Sequence, residues 1–322
     1  MAYSKEIYKK AERKLASRRD NAEMQAEVRK EEIIHKLPEV GKIQDLLAQI
    51  GLQISELFFY KGDVQEKVAE LRNESRALTD KRAVLLQNAG YAPDAMQPHY
   101  TCTACNDRGF INGRLCKCHK QLLKEIMRSE VEKTAPLDKC TFDTFDLRYY
   151  SETPMENGIV PRQKAELVSE TARKYAQNFS MASKNLLFLG GAGLGKTHLS
   201  LAIANVVINK GYYVCYGTSQ NICDDLQSEQ FGRTDNILYT KRQVLECDLL
   251  ILDDLGTEID NQYSIATLYN IINSRILSGR PTVISTNFKF SKLEARYDKR
   301  ITSRLVGEYV SLYLFGNDIR SM

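Results

Sequence analysis

Eight consecutive residues, 190–197, have the types and spacing of a phosphate-binding loop. They read Gly-Gly-Ala-Gly-Leu-Gly-Lys-Thr and fit the pattern G-x-x-x-x-G-K-[ST]. The apolar run 186–189 predicts a strand before the loop, and 199–209 predicts a helix after it, which is the setting that such a loop requires. Glycines let successive backbone N–H groups face the phosphates, and the helix N-terminus adds a favourable dipole.

The residue types within this loop predict separate roles in holding a nucleotide. Lys196 is expected to reach the β and γ phosphates, and Thr197 is expected to bind Mg²⁺ through its hydroxyl. The residues assigned to nucleotide binding are Gly190, Gly191, Ala192, Gly193, Leu194, Gly195, Lys196, Thr197 and His198.

Two carboxylates follow a second apolar run, 249–252. A buried parallel strand that ends beside a phosphate site has this pattern. We expect Asp253 to join Thr197 in holding Mg²⁺, and Asp254 to orient or deprotonate the attacking water. The side chain of Asp254 is one methylene shorter than a glutamate in that role, so Glu258 stays open as the alternative base.

A third apolar run, 282–286, ends in Ser285 and Thr286 and is followed by Asn287. In a sheet of this kind the strand lies between the two strands described above, so Asn287 is placed to touch the γ-phosphate or the attacking water. An asparagine that only forms a turn is the alternative. Further on, Arg300 and Arg304 lie one helical turn apart on one face, a pattern that a solvated helix surface also shows.

Four cysteines have the spacing of metal ligands. Cys102 and Cys105 form a C-x-x-C pair, and Cys116 and Cys118 follow after an Asn-Gly pair that predicts a hairpin turn. Four thiolates close a tetrahedral shell, so we expect a structural Zn²⁺ rather than a catalytic one. His119 or His99 could replace one thiolate. A redox-active thiol pair is the other alternative, and the absence of a surrounding βαβ pattern disfavours it.

The composition fits an ordinary globular protein. The chain has 322 residues, of which 43% are hydrophobic and 27% charged. No apolar run approaches the length of a membrane span, and the N-terminus is charged, so we expect a cytoplasmic protein without membrane contact. The formal net charge is +4, and the excess lies in residues 1–134. This surplus is too small to indicate nucleic-acid binding by itself.

Residues 1–98 predict a helical module. A charged helix is expected over 3–36 and a more apolar one over 43–59. A seam with alternating steps of four and three residues then predicts either a helix packed along another helix or an amphipathic helix on a core. The seam consists of Val64, Val68, Leu71, Ser75, Leu78, Arg82 and Leu85. A zinc-binding module over 99–134 is expected to follow.

From residue 135 onwards, strands and helices alternate, which predicts an α/β domain with a parallel sheet wrapped by helices on both faces. Strands are predicted at 186–189, 212–217, 249–252, 282–286 and 310–315. Helices are predicted at 121–133, 162–178, 199–209, 219–230, 235–246, 263–278, 292–296 and 301–305.

With these motifs in place, residues from about 140 onwards resemble the ATPase domain of the DnaC/DnaI family of replicative helicase loaders. These are AAA+ P-loop ATPases that share their core with the IstB transposition helpers. The resemblance rests on Phe142, Phe145, the loop 190–197, Asp-Asp-Leu-Gly at 253–256, Ser-Thr-Asn at 285–287, 300–304 and Gly-Asn-Asp-Ile-Arg at 316–320. The cysteine module after a helical segment resembles, more loosely, the helicase-binding part of DnaI-like loaders.

The resemblance implies specific roles for several of these residues. Asn287 is the sensor 1 residue, Arg304 is the arginine finger offered to the nucleotide of a neighbouring subunit, and Arg320 is the sensor 2 arginine. With Asp254 these form the implied catalytic set. The helix from Ser219 and the segment 231–233 occupy the place where related loaders line a single-stranded DNA path, although only Arg233, Lys241 and Arg242 are basic there.

The implied function is an ATP-dependent loader with ATP, Mg²⁺ and Zn²⁺ as cofactors. Its N-terminal region binds the replicative DNA helicase, its ATPase domain self-associates, and it assists loading on single-stranded DNA. An IstB-like regulator of DNA transposition is the alternative, disfavoured by the cysteine module, which those helpers generally lack. A third hypothesis is a non-enzymatic adaptor whose nucleotide site only stabilises the fold. The intact Lys196, Asp253 and Arg304 argue against it.

Overall fold

A computed structural model describes residues 3–57, 59, 64–232, 238–297 and 299–319. The chain divides into two compact units, one of Glu12–His119 and one of Met1–Ala11 with Lys120–Met322. The predicted division into 1–98, 99–134 and 135–322 stays a prediction. In the described part of the chain, no helix is long and apolar enough to cross a membrane.

The first unit is mainly helical. Its helices are α1 (Lys5–Lys36), which begins in the other unit, α2 (Pro38–Leu57) and α3 (Gln65–Asn88). α2 begins five residues before the predicted start because Pro38 is tolerated in the first helical turn, where its missing N–H costs nothing. A small core joins the three helices through Ile33, Val40 and Leu86.

The seam on α3 packs along α2, as one of the two alternatives predicted. Every seam position is buried or half-buried, whereas most other positions of α3 are exposed. The polar interruption at Arg82 has a partner, because its guanidinium donates to the Gln44 side-chain oxygen at 2.7 Å. A helix pair with a polar contact in its seam explains the imperfect repeat.

The cysteine segment folds as a short hairpin followed by a helix. Strands β1 (Phe110–Ile111) and β2 (Arg114–Leu115) pair antiparallel, and α4 (Lys117–Glu132) begins between the last two cysteines. Asn112 and Gly113 have φ values of 49° and 75°, the left-handed conformations that a two-residue hairpin turn needs. The predicted Asn-Gly turn is therefore confirmed.

The second unit contains five further strands and most of the helices. After two single 3₁₀ turns (Leu137–Lys139 and Leu147–Tyr149), the order is α5 (Pro161–Gln177), β3 (Asn185–Leu189), α6 (Lys196–Asn209), β4 (Val214–Thr218), α7 (Ser219–Gln230), α8 (Lys241–Glu246), β5 (Leu249–Asp253), α9 (Gln262–Leu277), β6 (Thr282–Thr286), α10 (Phe290–Arg296), α11 (Lys299–Glu308) and β7 (Tyr309–Tyr313).

These five strands form one parallel sheet in the order β4-β5-β6-β3-β7. The interior of β5 is completely buried and apolar, as expected for a strand covered on both faces. β6 lies between β5 and β3, so the predicted neighbours are confirmed. The parallel α/β fold with its P-loop, preceded by a helical part, is confirmed with them. The glycine-rich loop, the two aspartates and Asn287 therefore all lie at the carboxyl ends of the parallel strands.

One predicted helix starts later than expected. The predicted 235–246 helix begins at Lys241, because Thr240 and Gln243 form a capping box that defines the first turn of α8. Residues 238–240 precede it without helical structure, and 233–237 lie outside the described residues. The sequence placed this start too early because the apolar residues just before the capping box were included in the helical pattern.

Arg275 joins the starts of β5 and β6 from a fully buried position on α9. Its guanidinium donates to the carbonyls of Val244 (2.9 Å), in the last turn of α8, and of Cys247 (3.1 Å), at its C-cap. It also donates to the Pro281 carbonyl at 2.7 Å, just before β6. A cation at a helix C-terminus meets the negative end of the helix dipole, so the charge is compensated by carbonyl groups.

Candidate functional site

The glycine-rich loop connects β3 to α6 in a tight turn. Gly195, immediately before α6, has φ of 77°, and a Cβ there would lie 2.7 Å from the ring of Phe145 and 3.0 Å from the Tyr150 hydroxyl. Both the backbone conformation and the lack of space therefore require glycine at this position. The turn directs the N-terminus of α6 toward an open cleft.

The cleft beside this loop has a volume of about 740 Å³, within the usual range for small-molecule sites. Its walls include the loop and the residues that follow two other strands, Asp254 and Asn287. The loop and helix residues that line it are Ala192, Gly193, Leu194, Gly195, Lys196, Thr197 and His198. The sheet therefore brings the separate motifs to one cavity.

Lys196 crosses the floor of the site to the neighbouring strand. It is 4% exposed, and its ammonium donates to the Gly191 carbonyl and to the Asn287 side-chain oxygen, each at 2.6 Å. The Asn287 amide nitrogen in turn donates to Asp254 at 3.3 Å. A cation, an amide and a carboxylate thus form one chain of hydrogen bonds along the edge of the sheet.

The two neighbouring aspartates have different environments. Asp253 is 1% exposed, and its two oxygens accept hydrogen bonds from Tyr216 (2.8 Å) and from the Ser285 hydroxyl. Asp254 is half-buried, lines the cleft and adopts a φ of 53°. Its backbone N–H donates to the Ser285 hydroxyl at 3.0 Å. The left-handed conformation turns the chain so that consecutive carboxylates occupy separate positions.

The residues present fit a nucleotide with a divalent cation. The glycine turn exposes backbone N–H groups at a helix N-terminus, and a buried ammonium lies next to them. The hydroxyl of Thr197 and the two carboxylates are oxygen ligands of the kind that Mg²⁺ prefers. Asp253 retains lone pairs beyond the two hydrogen bonds, so it can still bind a divalent cation directly or through a water.

Glu258, the alternative base, does not line the cleft. It is 3% exposed and accepts hydrogen bonds from Ser219 (2.7 Å) and the Gly256 N–H (3.0 Å) at one oxygen, and from Tyr297 and Arg296 at the other. Burial alone would raise the pKa of Glu258, but these hydrogen bonds hold its pKa below the ordinary value. The structure thus gives Glu258 a packing environment and leaves Asp254 as the carboxylate facing the cavity.

Residues before α5 form the opposite wall of the cleft. The His198 ring nitrogen lies 2.8 Å from the Thr141 carbonyl oxygen, and the ring lies 5.5 Å from that of Phe145. The hydroxyl of Tyr150 donates to the Leu194 carbonyl at 2.9 Å. Sequence reasoning noticed the phenylalanine but missed Tyr150, because nothing in the local pattern shows that this tyrosine returns to the loop.

The arginine pair on α11 lies away from the cleft residues. Arg304 donates to the Asn273 side chain at 2.8 Å and to the Tyr269 hydroxyl at 3.2 Å. The guanidinium carbons of Arg300 and Arg304 lie 5.3 and 4.9 Å from the centroid of the Tyr269 ring. Neither arginine lines the cavity of its own chain. Arg320, the implied sensor 2 residue, lies outside the described residues.

Only some of the residues expected to line a DNA path are both described by the structure and exposed. Ser219 is fully buried and bonded to Glu258, whereas Phe231 is 68% exposed. Arg242 pairs with Glu246 at 2.8 Å on the surface of α8. Arg233 lies outside the described residues. Of the expected DNA contacts, the structure therefore describes the exposed ring of Phe231 and the basic residues Lys241 and Arg242 of α8.

The four cysteine sulfurs come together at the hairpin. They all lie within 4.8 Å of one another, with Cys102 3.8 Å from Cys116 and Cys105 3.4 Å from Cys118. A tetrahedral Zn²⁺ with thiolate bonds of about 2.3 Å requires sulfur separations of roughly this size. The cluster therefore fits zinc, with Asp107 supporting it by accepting the Cys102 N–H at 3.0 Å.

The alternative histidine ligands lie elsewhere. His119 is fully buried, its Nδ1 lies 3.3 Å from the Gly109 carbonyl oxygen, and its ring meets the edge of Phe110. His99 is exposed beside Asp94, 3.7 Å away. Cys118, rather than either histidine, completes the group of four. The other four cysteines are buried outside the cluster: Cys140, Cys215, Cys223 and Cys247.

Comparison with known proteins gives a match for a segment that includes the glycine-rich loop, Asp254 and Asn287. Residues 160–308 match the family described as IstB-like ATP binding protein. The match covers a little less than half of the chain. This match and the curated relatives confirm the resemblance to the DnaC-like loaders that the motifs indicated.

Several curated relatives of this chain bear the name of a replicative helicase loader. The chain is 27% identical over 160 residues to "Replicative helicase loader DnaC" of Buchnera aphidicola subsp. Baizongia pistaciae, covering 48% of this chain and 64% of that protein. It is 26% identical over 136 residues to the protein of the same name from Escherichia coli strain K12, covering 42% and 55%. The chain thus spans less than two thirds of the length of these relatives.

Among solved structures, a crystal structure of the DnaC helicase loader is similar to part of this chain. The TM-score is 0.45 at 24% identity, over 56% of this chain and 98% of that chain.

Proposed function

We propose that this protein is an ATP-dependent loader of a replicative DNA helicase. The observation that carries the proposal is the chain of contacts from Lys196 through Asn287 to Asp254, within a cleft that a glycine-rich loop borders. This arrangement supports ATP hydrolysis rather than passive binding, because a carboxylate stands beside the phosphate-binding lysine. The names of the curated relatives support the helicase as the target.

In the proposed reaction, Lys196 binds the β and γ phosphates, and Thr197 and Asp253 hold the metal. Bound Mg²⁺ would neutralise the phosphate charge that develops during cleavage. Asp254 then orients or deprotonates the attacking water, and Asn287 keeps that water and the γ-phosphate in line. Lys196 must exchange its present contact with Asn287 for phosphate oxygens as the nucleotide binds.

We further propose that Arg304 acts on the nucleotide of the neighbouring subunit. Its guanidinium lies on α11 and does not line the cavity of its own chain. Such an arginine requires a head-to-tail interface, which propagates along an assembly rather than closing as a two-fold dimer. Arginine fingers contribute about a thousandfold or more to phosphoryl transfer in other systems.

Mixing two inactive variants tests this assignment. Lys196→Ala lacks a productive pocket but keeps the finger, whereas Arg304→Ala keeps the pocket but lacks the finger. Each variant alone should show almost no ATP turnover, and their mixture should regain part of it. Lys174→Ala, which removes a surface cation from an exposed ion pair with Glu170, serves as the control and should keep full activity. A mixture that stays inactive at concentrations supporting wild-type assembly contradicts action in trans.

The proposed partner is the replicative helicase, bound through the N-terminal region that includes the zinc module. The test is capture of the replicative helicase of the same organism by the full-length chain, followed by assay of its transfer to single-stranded DNA with ATP. We expect Cys102→Ser to lose capture, and Lys196→Ala to keep capture but lose transfer. Equal capture by wild type and Cys102→Ser contradicts binding through this region.

An IstB-like transposition regulator remains a second candidate because the matched family is named for IstB-like proteins. The preferred form of DNA separates the two. For a loader we expect tighter binding to single strands than to duplex, with affinity that falls as salt rises. The exposed Phe231 offers a surface on which an unpaired base can stack. Tighter binding to duplex favours the regulator.

A further inference from the structure

Asp253 is held from both sides by hydroxyl groups on the neighbouring strands. Tyr216 of β4 donates to one carboxylate oxygen at 2.8 Å, and Ser285 of β6 donates to the other. The register explains both contacts. Tyr216 pairs with Ile251, two residues before Asp253 on β5, and Ile251 also pairs with Val283, two residues before Ser285. All three side chains therefore lie on one face of the sheet.

These two contacts restrict how Asp253 can move. The carboxylate is 1% exposed, so water does not replace a lost hydrogen bond. With a hydroxyl on each oxygen, rotation of the carboxylate breaks at least one bond. The remaining lone pairs thus keep a fixed direction.

We propose that Tyr216 is a positioning residue for the Mg²⁺ site, acting through Asp253. The inference rests on the proposed ATPase function, because it concerns the carboxylate assigned to the metal. Tyr216 itself does not line the cleft. Residues that orient metal ligands in this way usually contribute about 10- to 100-fold to metal affinity or activity.

The same region offers a matched control. Tyr216 and Tyr239 line one small cavity of about 60 Å³, which the first turns of α1 also border through Ile7. Both tyrosines are 6% exposed. The hydroxyl of Tyr239 is buried beside Thr134 and makes no hydrogen bond to Asp253. Tyr239→Phe therefore removes the same group from the same cavity without touching Asp253.

The experiment compares Tyr216→Phe with Tyr239→Phe in the full chain, using a fluorescent ATP analogue and a Mg²⁺ titration. We expect Tyr216→Phe to raise the Mg²⁺ concentration for half-maximal binding about 10-fold and to leave binding in EDTA unchanged. Tyr239→Phe should match the wild type in both measurements. The double variant Tyr216→Phe with Asp253→Asn should behave as Asp253→Asn alone, because the tyrosine acts only through that carboxylate.

The outcomes separate this inference from the function on which it rests. A wild-type protein that shows no Mg²⁺-dependent nucleotide binding contradicts the proposed function. If the wild type depends on Mg²⁺ and the two tyrosine variants behave alike, the positioning role alone is wrong. Equal losses with and without Mg²⁺, or failure of Tyr216→Phe to fold, also overturn it, because the hydroxyl is then a general structural contact.

Discussion

The cysteine cluster and the nucleotide cleft depend on different parts of the fold. The four sulfurs come from residues 102–118, in which the strands of the hairpin have two residues each and Phe110 and Ile111 are 46% and 41% exposed. The cleft instead draws residues from 136 to 319 and lies at the edge of a sheet whose central strand is buried throughout. The first site is formed by one local segment, whereas the second is formed by distant residues that the order of the strands brings together.

This difference has an energetic consequence. A short exposed hairpin buries little apolar surface, so we expect ligand bonds to a metal to supply much of its stability. The cleft lies on a five-stranded parallel sheet, so we expect apolar burial to hold its shape. Removal of its ligand should therefore disorder the cysteine hairpin and leave the sheet around the cleft folded.

The largest expected effect is loss of the metal. We predict one Zn²⁺ per chain and almost none in Cys102→Ser, because structural zinc sites contribute about 10 kcal/mol or more of binding free energy to folding. Amide exchange should rise across 102–118 in the variant and stay slow in β3 and β5. Metal analysis and hydrogen exchange measure the two effects.

Cys223→Ser is the control for this experiment, because Cys223 is a buried thiol outside the cluster. It should keep its zinc. Unchanged metal content in Cys102→Ser, or loss of protection in the sheet as well, contradicts the independence of the two sites.

A smaller effect is expected from loss of Glu258, a buried carboxylate that does not line the cleft. Glu258→Gln should lower the free energy of unfolding at pH 7 by about 3 kcal/mol, because it leaves Arg296 and the hydroxyl donors without their anion. Urea titrations measure the loss. Glu246→Gln, in an exposed ion pair, should cost less than 1 kcal/mol.

The same residue predicts how stability depends on pH. The pKa of Glu258 is lower in the folded state, so the unfolded state binds more protons and stability falls on acidification. The contribution is complete above the ordinary pKa of 4.5 and is lost as the pH falls through the folded value. Glu258→Gln should therefore flatten the acid limb of the stability curve. Parallel curves for wild type and variant mean that the carboxylate is not the group responsible.

The smallest effect concerns the hydroxyl that fixes the loop itself. Tyr150→Phe removes the hydrogen bond to the Leu194 carbonyl, so it should lower the free energy of unfolding by about 1 kcal/mol and, by loosening the loop, weaken nucleotide binding by up to about fivefold. Fluorescence titration of the nucleotide measures it. Tyr175→Phe removes a buried hydroxyl that has no hydrogen-bond partner among the described residues and should leave affinity unchanged. Equal affinities in both variants show that the loop does not need this contact.

Sequence reasoning performed best where chemistry is local. The loop 190–197 leads from β3 into α6, Asp253 ends β5 with Asp254 next to it, and the four cysteines meet. Each of these patterns depends only on near neighbours and on strand or helix propensity. The start of α8 was predicted too early because its capping box is a weaker signal than the helical periodicity expected around it.

What the sequence could not supply is every contact that depends on the order of the strands. The two bonds to Asp253 join residues 37 and 32 positions away, and that to Leu194 spans 44. The choice of Cys118 over His119 likewise required the start of α4, since adjacent residues on a helix point about 100° apart. By itself the sequence determined which chemical groups are present and which local turns carry them. Which of these groups line the cleft and which are buried beneath it depends on the tertiary structure, because the parallel register sets side-chain neighbours that no local pattern encodes.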